Sequence, residues 1–170
     1  MLFDKITIIG IGLIGSSLAR VIMKKGLAGK LCAYDKNPEY LAEAGELGIV
    51  DEISDDLGKA VENADLVVYA TPVGAYGEIT RQIVPYLKKG AILTDVGSIK
   101  KYSIREIEKN LPEDAEVVVV PGHPVAGTEK SGPANGFDTL FEGRWYIVTP
   151  SFRSTEEAVA KVSELWAAAS

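Results

Sequence analysis

Apolar positions along this chain fall in short β-branched runs separated by stretches with helical spacing. Runs at 6–9, 31–34, 66–70, 91–96 and 117–120 are continuously or nearly continuously apolar. Strands buried on both faces of a parallel sheet read this way. Between the runs the spacing predicts helices over 13–25, 39–47, 57–62, 74–87 and 99–110, with Gly26 and Gly48 where helix C-caps belong. The β-α-β rhythm predicts an α/β fold with a doubly wound, mostly parallel sheet. A further strand over 145–149 is expected along the sheet edge. After Pro150, Ser154 is expected to cap a helix, with Glu157 at capping-box spacing. Ala158, Val162, Leu165, Trp166 and Ala169 form its apolar stripe, so the chain ends in an amphipathic helix.

The turns between these elements carry the candidate chemistry. The first run leads directly into Gly10-Ile11-Gly12-Leu13-Ile14-Gly15 and then a helix, the strand–turn–helix context that a dinucleotide-binding Rossmann fold requires. Gly10 permits the tight turn, and Gly12 lets a pyrophosphate approach the backbone. Gly15 lets the helix pack on the strand, and Leu13 and Ile14 open that helix, where free N–H groups and a partial positive charge favour an anion. Asp35, twenty residues after Gly15, stands where an acidic side chain accepts from ribose hydroxyls and repels a 2′-phosphate. The expected cofactor is NAD, with NADP less favoured. Thr71 and Pro72 follow the run at 66–70, across the switch point, and are expected beside the nicotinamide ribose.

Two further strand ends supply the reactive groups. Ser98, in Asp95-Val96-Gly97-Ser98-Ile99-Lys100, is a natural N-cap for the helix at 99–110, with a hydroxyl at the carboxyl edge of the sheet. His123, the only histidine, follows the run at 117–120 and precedes Pro124. With a reference pKa of about 6.5, a neutral imidazole there can accept a proton. Thr128 and Glu129 are near enough in sequence to return to the same cavity. Glu129 beside Lys130 is equally a solvated charge.

Composition narrows the picture. The 170 residues are 46% hydrophobic and 25% charged, which suits one soluble domain, or one domain and the start of another. A formal charge of −6 disfavours nucleic acid as a partner. Cys32 is the only cysteine and lies in an apolar run, as a small core residue would. No apolar run approaches the roughly 20 residues that span a bilayer, and no secretory pattern opens the chain. The expectations are a cytoplasmic protein, no membrane partner and no metal.

Five segments together resemble the prephenate and arogenate (cyclohexadienyl) dehydrogenase family of tyrosine biosynthesis. They are the glycine turn through Ser17, Asp35-Lys36-Asn37-Pro38, Ala70-Thr71-Pro72-Val73, Asp95 to Lys100, and Gly122-His123-Pro124-Val125-Ala126-Gly127-Thr128-Glu129-Lys130-Ser131-Gly132. They occur in family order, and the last two are the specific ones. The resemblance implies an NAD-dependent oxidative decarboxylation of prephenate to 4-hydroxyphenylpyruvate, or of arogenate to tyrosine. It assigns His123 as the base on the ring hydroxyl and Ser98 as the residue orienting substrate and histidine. It places Thr128 and Glu129 at the substrate pocket.

Family members also carry a C-terminal helical domain that forms a homodimer and supplies an arginine to the substrate carboxylate. No residue here matches that arginine, although Arg144, Lys100 and Lys130 are nearby cations. The resemblance therefore implies a dinucleotide-binding catalytic domain over 1–150 and the start of a connecting helix over 151–170. The helical domain would lie outside this sequence, and the chain alone is expected to turn over slowly. The alternatives are another small-substrate dehydrogenase, or an NAD-binding module without catalysis.

Overall fold

A computed structural model describes residues 1–170. Six strands form the main sheet: β1 (Phe3–Ile9), β2 (Ala28–Tyr34), β3 (Glu52–Ile53), β4 (Leu66–Tyr69), β5 (Ile92–Asp95) and β6 (Val118–Val120). Their order is β3-β2-β1-β4-β5-β6, and every pairing is parallel. The order reverses between β1 and β4, which makes the carboxyl end of β1 the switch point of a doubly wound Rossmann-type sheet. Helices α1 (Leu13–Lys25), α2 (Pro38–Glu46), α3 (Leu57–Val61), α4 (Tyr76–Ile83), α5 (Lys100–Glu108) and α6 (Glu156–Ala169) cover the two faces.

Alternation along the strands divides the core between these layers. Ile6 and Ile8, Leu66 and Val68, and Ile92 pack with α1, α2 and α6. Ile9, Val67, Tyr69 and Leu93 pack with α3, α4 and α5. Thr7 falls in the second layer and satisfies its buried hydroxyl by donating to Ala60 O at 2.6 Å. Burial pushes the Cys32 thiol up to about 11, the behaviour of an inert core residue.

The expected helix over 74–87 is observed as an α-helical centre, Tyr76–Ile83, between two 3-10 turns. The two-residue strand β3 has no apolar run to announce it. The expected edge strand is also different. Strand β8 (Tyr146–Val148) pairs antiparallel with β7 (Gly122–Pro124) in a separate two-stranded sheet and does not extend the main one. Both of these small strands lie next to the end of β6.

Helix α6 buries its predicted stripe in the same core as β1 and α1. Tyr146 stacks on Trp166 at 4.3 Å, and Phe141 meets the same ring edge-on at 5.0 Å. The N-cap is Thr155, whose side chain accepts from Ala158 N, and not Ser154. The Ser154 hydroxyl is already committed: it donates to Val119 O at 2.5 Å and accepts from Ser151 N at 2.9 Å. No helix is long and apolar enough to cross a membrane.

Candidate active site

The glycine turn is shaped by contacts that exclude side chains. Gly10 adopts φ +98°, and a Cβ there would lie 2.6 Å from Ala70 O, so both conformation and space call for glycine. At Gly15 a Cβ would stand 2.0 Å from Gly10 O. Gly12 differs, because a Cβ there would meet nothing within 4 Å. It is the N-cap of α1, with no side-chain cap, and the first turn of α1 has no acidic residue. The N–H groups of the first turn, which includes Leu13 and Ile14, have no side chain competing for them, as an anion site requires.

A cavity of about 690 Å³ opens beside this turn, lined by Gly10, Gly12, Asp35, Tyr40, Thr71 and Pro72 among others. That volume suits a cofactor-sized ligand. Asp35 Oδ2 accepts from Ile11 N at 2.7 Å and Oδ1 from Asn37 N at 2.8 Å. The carboxylate therefore anchors both the glycine turn and the N-cap of α2. Each oxygen keeps acceptor capacity for a ligand hydroxyl.

His123 lies farther along the same carboxyl edge. Val96 follows β5 and donates its N–H to Tyr69 O at 3.1 Å, next to Ala70 on the cavity wall. His123 Nδ1 is 3.1 Å from Val96 O. A carbonyl only accepts, so Nδ1 carries the proton and Nε2 of the neutral ring keeps its lone pair. The ring is half-buried.

Beneath it lies a buried charge pair. Asp95 is fully buried, and Oδ2 accepts from Lys100 Nζ at 2.5 Å and from Gly97 N at 3.1 Å. Desolvation pushes the Lys100 pKa down, and the Asp95 charge opposes this. Lys100 is thus committed inside the protein, unlike the exposed Arg144 and Lys130.

The other expected residues are placed less tightly. Helix α5 starts at Lys100 with Ile99 as N-cap and no side-chain cap bond, so Ser98 does not cap it. Ser98 is exposed at the end of β5, two residues from Val96. Thr128 and Glu129 are exposed and line a separate hollow with Lys130, Asn135 and Phe137. They do not border the cavity at the glycine turn. Sequence reasoning missed the Asp95–Lys100 pair, whose only signal was two opposite charges five residues apart flanking a strand end. It also missed Tyr40, Glu78 and Gln82 on the cavity wall, which α2 and α4 bring in.

Comparison with known proteins identifies relatives of this chain. The family profile described as "Prephenate dehydrogenase, nucleotide-binding domain" matches residues 18–170. Cyclohexadienyl dehydrogenase of Zymomonas mobilis is 39% identical over 164 residues, covering 96% of this chain and 55% of that protein. The crystal structure of prephenate dehydrogenase from Aquifex aeolicus superposes with a TM-score of 0.86 at 34% identity, covering 96% of this chain and 58% of that one. A second structure of the Aquifex aeolicus enzyme, in complex with hydroxyphenyl propionate and NAD+, gives a TM-score of 0.81 at 30% identity, covering 98% of this chain and 57% of that one. The chain spans little more than half the length of these relatives. With the profile covering most of its length, the chain belongs to the prephenate dehydrogenase family and represents its nucleotide-binding domain.

Proposed function

We propose that the full-length protein oxidises and decarboxylates prephenate, or its amino counterpart arogenate, with NAD+, and that this chain carries the cofactor site and the catalytic base. The observation that carries the reading is His123: its Nδ1 lies 3.1 Å from Val96 O, so in the neutral ring Nε2 keeps its lone pair, and the residue stands on the same carboxyl edge of the sheet as the cavity, though outside its lining. The bound NAD+ and ring ligand of the Aquifex aeolicus structure support it.

Gly10, Gly12 and Gly15, with the N–H groups of Leu13 and Ile14, hold the pyrophosphate. Asp35 accepts from the adenosine ribose and disfavours NADP. Thr71 and Pro72 lie beside the nicotinamide ribose. Bound there, NAD+ supplies the hydride acceptor. His123 Nε2 takes the ring-hydroxyl proton, which becomes acidic as the carbinol carbon loses electron density. A base so placed contributes roughly 100- to 10,000-fold. Ser98 orients substrate and imidazole. Thr128 and Glu129 reach the substrate pocket, which requires their exposed loop to be covered or drawn in.

Residues 1–150 act as the dinucleotide-binding catalytic unit, and 151–170 lead toward the region that the relatives carry beyond the matched half. We place the protein in the cytoplasm and read the full-length form as a homodimer. The test is a hydride-transfer assay of the full-length protein with prephenate and arogenate, each with NAD and NADP. NADH formation with one of the substrates is expected. NAD binding without turnover of either would leave only a binding module.

A further inference from the structure

Strand β7 has a strand partner on one edge only. Thr149 N donates to Pro121 O, Val125 N donates to Trp145 O, and His123 stands opposite Ile147. In an antiparallel ladder, alternate residues turn their N–H and C=O away from the partner. The two backbone groups of Gly122 therefore face the end of β5, where no strand pairs with β7. Side chains meet them instead. Asp95 Oδ1 accepts from Gly122 N at 3.1 Å, and Lys100 Nζ donates to Gly122 O at 2.5 Å. The same ammonium donates to Asp95 Oδ2 at 2.5 Å, and the Lys100 side chain is only 15% exposed. Above Gly122 there is no slack, since a Cβ would lie 1.8 Å from the Tyr146 hydroxyl oxygen.

We propose that Asp95 and Lys100 are positioning residues for His123, and that their ion pair acts as the missing edge strand and fixes which ring nitrogen carries the proton. Asp95 precedes Val96, and Gly122 precedes His123. The contact of Asp95 and Lys100 with Gly122 and the contact of Val96 with His123 are thus adjacent rungs between the same two segments. Holding the first rung sets the separation of the second, Nδ1–H to Val96 O at 3.1 Å. An imidazole freed from that carbonyl can place its proton on Nε2, where it no longer serves as a base. A buried ion pair is a poor source of stability, because desolvation offsets its attraction, so geometry is the better explanation for one at this position. The inference rests on the reading of His123 as base, but its test needs no substrate, so the two can fail separately.

His123 is the only histidine, so nitrogen NMR of the ring reports this residue alone. At pH about 9, well above the reference imidazole value of about 6.5, the Nδ1–H form is expected to predominate in the unmodified chain. Lys100→Met is expected to shift the tautomer ratio roughly fivefold toward Nε2–H, the worth of one net hydrogen bond. A folded Lys100→Met chain with an unshifted ratio would overturn the proposal. So would a ring held mainly as Nε2–H in the unmodified chain, a result that stands whether or not the variant folds.

Discussion

The glycine turn at 10–15 and the histidine segment at 122–124 share the carboxyl edge of one sheet but are secured in opposite ways. The turn is built mostly from consecutive residues: a strand end, three glycines and the first turn of α1, with the end of β2 as its distant anchor, where Tyr34 O accepts from Gly10 N and Asp35 from Ile11 N. The histidine segment has left the sheet. It is held by β8, by Val96 and by a buried ion pair, across sequence separations of 22 to 27 residues. The first region shows that a site made mostly of backbone can be encoded locally. The second shows that placing one side chain for proton transfer needs partners from several strand ends.

If the regions divide the work in this way, mutations should separate cofactor binding from proton transfer. The largest effect is expected for His123→Asn in the full-length protein. Turnover should fall roughly 100- to 10,000-fold, while calorimetry shows unchanged NAD affinity. An equal loss of binding would merge the two regions.

Next comes a pair of matched variants in the turn. Gly15→Ala forces a methyl against Gly10 O and should cost about 3 kcal/mol or more in denaturant unfolding, the upper range for overpacking. Gly12→Ala projects into open space. It should leave stability within about 1 kcal/mol, in the range of ordinary Gly-to-Ala changes, and weaken NAD binding. If the two variants were equally stable, the close packing at Gly15 would carry no weight.

Asp35→Ser should improve NADP binding relative to NAD by roughly tenfold, the worth of a hydrogen bond to a charged group. Competition calorimetry with the two cofactors reads this directly. An unchanged preference would leave Asp35 with only its anchoring role toward Ile11 and Asn37. The smallest effect lies away from both regions. Thr155→Ala should lower stability by about 1 kcal/mol through loss of the α6 cap, with no change in NAD affinity.

The same contrast explains what the sequence made legible. Helix α1 was readable to its limits, because glycines bound it on both sides and Gly26 adopts φ +60°. The buried strands were readable because both faces are covered, so their runs are apolar at most positions, with Thr7, Thr94 and Asp95 as buried polar exceptions. Displaced caps trace to side chains committed to other partners. The Ser154 hydroxyl reaches across to β6, which leaves Thr155 to cap α6. Lys100 turns inward to Asp95 at the start of α5, which begins beyond Ser98. Strand β8 was visible as a strand but not as the partner of β7, since no local pattern reports pairing across more than twenty residues. Thr128 and Glu129 share a loop with His123 in sequence, yet the loop carries them to the exposed surface.

The central claim is that one crevice edge joins the dinucleotide to the lone imidazole. Its most direct test is a titration of the isotope-labelled chain with NAD+, followed by amide and imidazole NMR. Shifts are expected at Gly10, Gly12 and Gly15, at Asp35, at Thr71, and at the His123 ring together with Val96. NAD+ binding that leaves the glycine turn undisturbed, or that shifts the turn while the His123 ring and Val96 stay fixed at saturation, would contradict it.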